Sequence, residues 1–199
     1  MSKTTSKTSS SALQVLKDDH REVEDLFSQF EKLGPRATKS REAIVERVIE
    51  LLSAHASVEE MVFYPAIRRH ITDSESAVLE ALEEHHIVKW TMSELENMSA
   101  TDERFIAKMT VLIEMVRHHV REEEHDMFPV VRDGMSRSDL EALGEALLQA
   151  KQSAPSRPHP RSPDTPPGNF VVGAITAPID AVRSVGETAL RKARDLVQR

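Results

Sequence analysis

The stretches His55-Ala-Ser-Val-Glu59-Glu60-Met-Val-Phe-Tyr-Pro65 and His119-Val-Arg-Glu-Glu123-Glu124-His-Asp-Met-Phe-Pro129 share one frame, H-x3-E-E-x3-aromatic-Pro, displaced by 64 residues. Upstream of each lies an acidic-acidic-His triplet, Asp18-Asp19-His20 and Glu83-Glu84-His85, displaced by 65 residues. The chain thus carries two copies of one helix pair, and a pseudo-twofold axis should relate them.

Apolar periodicity supplies the helices that carry these motifs. The first runs from about Ser11 to Lys32, with Leu13, Leu16, Val23, Phe27 and Phe30 on one stripe and the Gly34-Pro35 pair as its stop. A second starts near Thr38 and carries Ile44, Val48, Leu51, Val62 and Ala66. The third, capped by Asp73 or Ser74, has the stripe Val78, Ala81, Val88, Met92 and Leu95. The fourth starts at Thr101 or Asp102, passes Phe105, Met109, Leu112 and Val116, and ends near Gly134. Short turns make sequential helices antiparallel, so the expected fold is all-α: an up-down-up-down four-helix bundle over residues 11–150. A fifth, shorter helix follows, with Ser138 and Glu141 in capping-box spacing ahead of Leu143, Leu147 and Leu148.

The repeat's polar residues fall on the apolar stripes. His20 lies between Leu16 and Val23, His85 between Ala81 and Val88, and the pairs His55/Glu59 and His119/Glu123 continue the stripes of their own helices. Positions i and i+4 differ by about 40° around a helix and about 6 Å along it, so each His-x3-Glu pair can present two ligands to one centre. A lone histidine on an apolar face is ordinarily a satisfied core residue, but six inward polar groups in register with a repeat are not. Buried carboxylates without a cation would cost several kcal/mol each, which a marginally stable domain cannot absorb repeatedly. Duplication predicts two metals: one held by His20, His55 and Glu59, the other by His85, His119 and Glu123, with Glu59 and Glu123 placed to bridge. Imidazole and carboxylate suit iron, with zinc, manganese or cobalt as alternatives, and the arrangement most resembles a di-iron carboxylate site. Glu60 and Glu124 are placed to accept hydrogen bonds from the ligand imidazoles. His86 and His118 sit one residue off their stripes and read as supporting or surface groups. Tyr64 reads first as packing, with a redox role open to it as the only tyrosine, and Trp90 and the eight methionines read as fillers of core gaps.

Composition narrows the chemistry. The 199 residues include no cysteine, which removes disulfides, thiolate metal sites and cysteine catalysis, so any metal is held by nitrogen and oxygen. Net charge is −7, but residues 1–150 carry 18 basic and 29 acidic residues against 8 and 4 from Lys151 onward. A bundle this acidic is poorly suited to nucleic-acid phosphates. Residues 1–10 are polar, without a signal peptide's apolar core, and read as a disordered tail; no apolar run is long enough to span a membrane, so the expected location is cytoplasmic. Residues 151–169 hold six prolines, all between Pro155 and Pro167, and read as an extended linker. Residues 170–199 read as an amphipathic basic helix, interrupted at Pro178, that packs back on the bundle, on a second copy in a homo-oligomer, or on a protein or membrane surface.

The motifs D-H-R-E-V-E-x-L-F near the start, H-x3-E-E-x3-Y-P, E-E-H-H-I-V-K-W and H-H-V-x-E-E-E-x3-F-P resemble the HHE cation-binding family related to hemerythrin, over roughly residues 12–150. The resemblance implies a four-helix bundle with a non-haem di-iron centre bridged by an oxo or hydroxo group and two carboxylates. Its ligands fall on the same six residues. Oxygen-carrying hemerythrins have a second histidine one turn after the first on the third helix and an aspartate five positions after the histidine on the fourth; this chain has Lys89 at the former, and Glu123 at plus four and Glu124 at plus five on the latter. That departure argues against reversible oxygen transport. The expectation is a di-iron protein that reacts with or senses hydrogen peroxide, oxygen or nitric oxide, with catalase-like turnover as the leading activity. The alternatives are a metal-dependent sensor acting through the C-terminal helix, and a store for oxygen or iron.

Overall fold

The structure, a computed structural model, describes residues 10–161; the N-terminal tail, the end of the linker and the 170–199 helix of the sequence reading lie outside the described residues. The described residues are all-helical. Helix α1 (Ala12–Glu31) is capped by Ser11, whose Oγ accepts from the Gln14 N–H. The turn after it is held by the buried Arg41 guanidinium, which donates to the carbonyls of Leu33, Gly34 and Pro35. Helix α2 (Thr38–Val58) runs through a π-helical turn, Glu59–Phe63, into α3 (Tyr64–His70). Helix α4 (Glu75–Leu95) follows a turn in which Asp73 is left-handed (φ 62°). Helix α5 (Phe105–Glu122) passes through a second π turn, Glu123–Met127, into α6 (Phe128–Gly134), and α7 (Arg137–Lys151) completes the described fold. The result is the expected four-helix bundle: α1, α2–α3, α4 and α5–α6, with α7 added on one side.

Sequence chemistry explains the π turns. Pro65 and Pro129 lack an N–H, and in a regular helix each ring would press on the carbonyl four residues back. Widening the preceding turn removes that conflict: the Tyr64 N–H bonds to the Glu59 carbonyl and the Phe128 N–H to that of Glu123, five residues back. Glu59 and Glu60 consequently both point into the protein although adjacent in sequence.

Two apolar clusters fill the bundle. One holds Leu16, Val58, Phe63, Phe128 and, from α7, Leu140, Leu143 and Leu147; the other holds Phe27, Val48, Leu52, Met92, Phe105 and Leu112. The polar layer of the repeat lies between them. Several expectations shift. The buried face of α2 is Val45, Val48, Ile49 and Leu52, with Ile44 and Leu51 at its margin. Ser74 makes no side-chain cap, and α5 begins three or four residues after the expected start. Helix α7 is capped by Ser136, whose Oγ accepts from the Asp139 N–H, rather than by Ser138. Trp90 is not a core filler: it is 47% exposed on the outer face of α4, whereas Met92 and Met109 are fully buried. The proline-rich stretch begins against the bundle, since Arg157 bridges Glu46 of α2 and Glu96 at the end of α4. Among the described residues no helix is long and apolar enough to cross a membrane.

Helix α7 approaches α1 closely at Gly144, where an added Cβ would stand 2.1 Å from the Ser10 carbonyl oxygen and 2.9 Å from the Ala12 nitrogen. Gly144→Ala gains about 1 kcal/mol of helix propensity, but backbone atoms of a packed helix cannot yield as a flexible side chain can. Net destabilisation of about 1–3 kcal/mol is expected, measured as a lower denaturant midpoint; an unchanged or raised midpoint would contradict this packing.

Candidate metal centre

The polar layer brings together all six residues singled out by spacing, each buried: His20 from α1, His55 from α2, Glu59 from the first π turn, His85 from α4, His119 from α5 and Glu123 from the second π turn. They form two halves. His20 Nε2 lies 3.2 Å from His55 Nε2, and His85 Nε2 lies 3.1 Å from His119 Nε2. Glu59 Oε2 stands between the halves, 3.1 Å from His55 Nε2 and 3.3 Å from His85 Nε2. Glu123 Oε2 does the same from the opposite side, 3.3 Å from His20 Nε2 and 3.7 Å from His119 Nε2.

The outer nitrogens decide what faces inward. His20 Nδ1 donates to Glu124 Oε1 (2.8 Å), His55 Nδ1 to Asp19 Oδ2 (3.3 Å), His85 Nδ1 to Glu60 Oε1 (3.0 Å) and His119 Nδ1 to Glu84 Oε2 (2.7 Å). A carboxylate can only accept, so each pair places the imidazole proton on Nδ1 and leaves Nε2 as a bare lone pair. Four lone pairs therefore converge with two carboxylates. Both oxygens of Glu59 and Oε2 of Glu123 are buried without a hydrogen-bond donor. Acceptors meeting acceptors across about 3 Å repel, and a cation is the group that reverses the sign. The spacing fits as well: donors about 2.1 Å from one ion and about 90° apart stand about 3.0 Å from one another. The donor atoms of His20, His55, Glu59 and Glu123 fall within one 4.8 Å group and those of Glu59, His85 and His119 within another, so Glu59 belongs to both.

Electrostatics reflect the same crowding. Burial pushes the Glu59 carboxyl well above its ordinary range, and the Glu123 charge adds to the shift. Glu123 goes the other way: burial opposes its ionisation, but the His119 and His20 imidazoles beside it hold it low. Burial lowers His55 to about 4 in spite of its Asp19 bond. His85 is also lowered by burial, while the charges of Glu123 and Glu84 carry His119 upward against its own burial.

Some partners escaped the sequence reading. Tyr64 is not merely packing: its hydroxyl donates to Glu123 Oε1 at 2.9 Å and lies 3.3 Å from His85 Nε2. Its repeat counterpart is Phe128, whose ring stacks on His20 at 6.0 Å. Asp19 and Glu84 hold the histidine of the neighbouring helix; their signal was the doubled acidic-acidic-His triplet. Lys151 ends α7 rather than starting a linker, and its ammonium bonds to Asp19. Lys89 is buried with Nζ on Glu60 at 2.9 Å, so it braces the carboxylate behind His85. Glu60 and Glu124 take the supporting places expected of them. His86 is exposed; His118 is likewise exposed, 3.6 Å from Glu84 and 3.2 Å from Glu122. A groove of about 280 Å³ reaches His119 and Glu123 from the surface between α3, α4 and α6.

A helical bundle with paired histidines and shared carboxylates between its helices defines a class of metal-binding protein. The chain matches the hemerythrin HHE cation binding domain over residues 11–131 and belongs to that family. It is 26% identical over 170 residues to an uncharacterized hemerythrin-like protein of Schizosaccharomyces pombe, covering 85% of this chain and 83% of that protein. It is 24% identical over 143 residues to a DNA nickase of Nostoc, covering 72% of this chain but only 40% of the nickase. A solved hemerythrin HHE domain-containing protein from Mycobacterium kansasii shares the fold at a TM-score of 0.63 and 21% identity, over 88% of this chain and 99% of that one.

Glu59→Gln tests the electrostatic reading. The amide can donate to a bare Nε2, so the metal-free variant should be more stable than the parent by about 1–3 kcal/mol at pH 7.5. A carboxyl raised above 4.5 contributes stability that is complete below that value and lost as pH climbs through its folded value. The advantage of the variant should therefore shrink at pH 4.5. Equal unfolding midpoints at both pH values would contradict it.

Proposed function

We propose that this chain holds two iron ions through His20, His55, Glu59, His85, His119 and Glu123, and that the centre reacts with hydrogen peroxide or a related small oxidant. The carrying observation is the convergence of four bare Nε2 atoms with unpartnered carboxylate oxygens of Glu59 and Glu123, together with its donor count. Four imidazoles and two carboxylates offer at most eight donor atoms, about four fewer than two octahedral ions use, which leaves positions for exogenous ligands. Iron, when bound, would supply the redox chemistry that peroxide turnover needs. Imidazole with carboxylate suits iron, whereas a structural zinc site takes four protein donors and closes.

The protein's own contribution is asymmetric. Tyr64 holds a proton on Oη beside Glu123 and His85, and the Phe128 side offers none. The groove between α3, α4 and α6 borders His119 and Glu123 of the same half. On the other side α7 packs over the first half, and Lys151 bonds the carboxylate behind His55.

That last contact favours one alternative, a sensor in which the state of the centre reaches the C-terminal segment through α7. The likeness to a DNA nickase carries less weight, because it spans a minority of that protein and the bundle is strongly acidic.

The test is peroxide turnover by iron-loaded protein. We expect turnover well above that of the same iron free in buffer, lost in His119→Ala and lowered about tenfold or more in Tyr64→Phe, a proton donor's usual contribution being at least that large. Turnover no faster than free iron would overturn the redox reading while leaving metal binding intact.

A further inference from the structure

The pseudo-twofold is broken most by α7, which packs against the first half. Its Leu140, Leu143 and Leu147 share a core with Ala12, Leu16 and Val58. Its Gly144 lies against the start of α1, and its Lys151 bonds Asp19. The repeat offsets carry Ala12, Leu16 and Asp19 onto Ala77, Ala81 and Glu84. These three line the groove of about 280 Å³ in the second half, where among the described residues no helix plays the part of α7. Ile67, Ile71 and Val131 supply its apolar floor. Val130, on its margin, is 52% exposed, whereas its counterpart Ala66 is packed against the α7 cluster. The groove is therefore the vacant equivalent of a helix-docking surface that the same fold fills once already.

The chain holds a second segment of matching pattern. In α7, Leu140-Glu-Ala-Leu143-Gly144-Glu145-Ala-Leu-Leu148 reads apolar-x2-apolar-Gly-Glu-x2-Leu, and Val182-Arg-Ser-Val185-Gly186-Glu187-Thr-Ala-Leu190 repeats it 42 residues later. The two differ in charge, and the grooves differ to match. Where the first half has Val58 and Val62, the second has Glu122 and Asp126, both lining the groove. Where α7 has Glu141, Gln149 and Ala150, the later segment has Arg183, Arg191 and Lys192. The twenty residues between Arg161 and Val182 are rich in proline and could span about 60 Å, ample beside bundle helices about 32 Å long.

We propose that residues 179–194, outside the described residues, dock in this groove within the same chain as α7 docks on the first half. Gly186 would meet the start of α4 near Ala77, Val182 and Val185 the apolar floor, and the basic residues Glu122 and Asp126. The bundle would then carry two α7-like elements, one per repeat.

The absence of native cysteine allows a direct test on the full chain. Val130→Cys reports the groove, and Leu79→Cys, 48% exposed and away from it, is the control. Thiol labelling of Val130→Cys should be about tenfold or more slower than that of Leu79→Cys. Adding Val185→Asp or Gly186→Leu should restore the rate at Val130→Cys and leave the control unchanged. Equal labelling with and without Val185→Asp would overturn the proposal. So would protection that disappears on dilution, which would assign the occupant to a second copy. Neither readout depends on metal, so this proposal stands or falls apart from the functional one.

Discussion

Everything in this bundle is arranged around a contact that ought to be repulsive. Four imidazole Nε2 atoms approach in pairs at 3.2 and 3.1 Å, and both oxygens of Glu59 and Oε2 of Glu123 reach between the pairs with no donor to meet them. The outer carboxylates make this unavoidable, because by holding each proton on Nδ1 they strip the inner face of donors. The bundle tolerates such a layer only because apolar clusters on both sides fix the helices that carry it. Local unfolding to hydrate the layer would expose those clusters too. The structure thus keeps a costly site ready, and bound cations would convert the cost into stabilisation.

Several departures from pseudo-symmetry fall on partners of the buried histidines and glutamates. Tyr64 and Phe128 occupy the same place in the repeat, yet one brings a hydroxyl to Glu123 and the other a flat ring to His20. Glu60 is braced by Lys89, whereas Glu124 lies 3.6 Å from the ammonium of Lys17. Asp19 is tied to α7 through Lys151, while Glu84 borders a groove that no described helix covers. The repeat gives two equivalent sets of buried histidine and glutamate, and these substitutions make the surroundings of the two unequal.

The residues of the buried polar layer were legible because they obey a rule local to each helix: a histidine and a glutamate four residues apart, on an apolar stripe, twice over. The four-helix bundle followed from the same stripes and the short turns. What escaped depends on neighbours in space. Asp19 and Glu84 sit beside ligand histidines in sequence but serve the histidine of another helix, so only the doubled triplet hinted at them. Tyr64 packs in the core as expected, but its hydroxyl contacts with Glu123 and His85 were not foreseen, because its direction depends on the π turn before Pro65, which helical periodicity does not contain. The same widened turn moves Val62 and Ala66 off the face that a straight helix would bury. Trp90 was assigned to the core on its bulk alone, and nothing in its helix face supported that. The supporting role of Lys151 was hidden by the nearby prolines, which suggested that the last helix ended one residue earlier than it does.

The central claim is that the buried layer is completed by two cations, and an anaerobic titration of metal-free protein with ferrous iron, followed by the thermal unfolding midpoint, tests it most directly. Cations that bind only the folded layer must raise the midpoint. The account predicts a steep rise that ends at two equivalents per chain and is absent when His55→Ala and His119→Ala are combined. A midpoint unmoved by metal, or a rise complete at one equivalent, would contradict it.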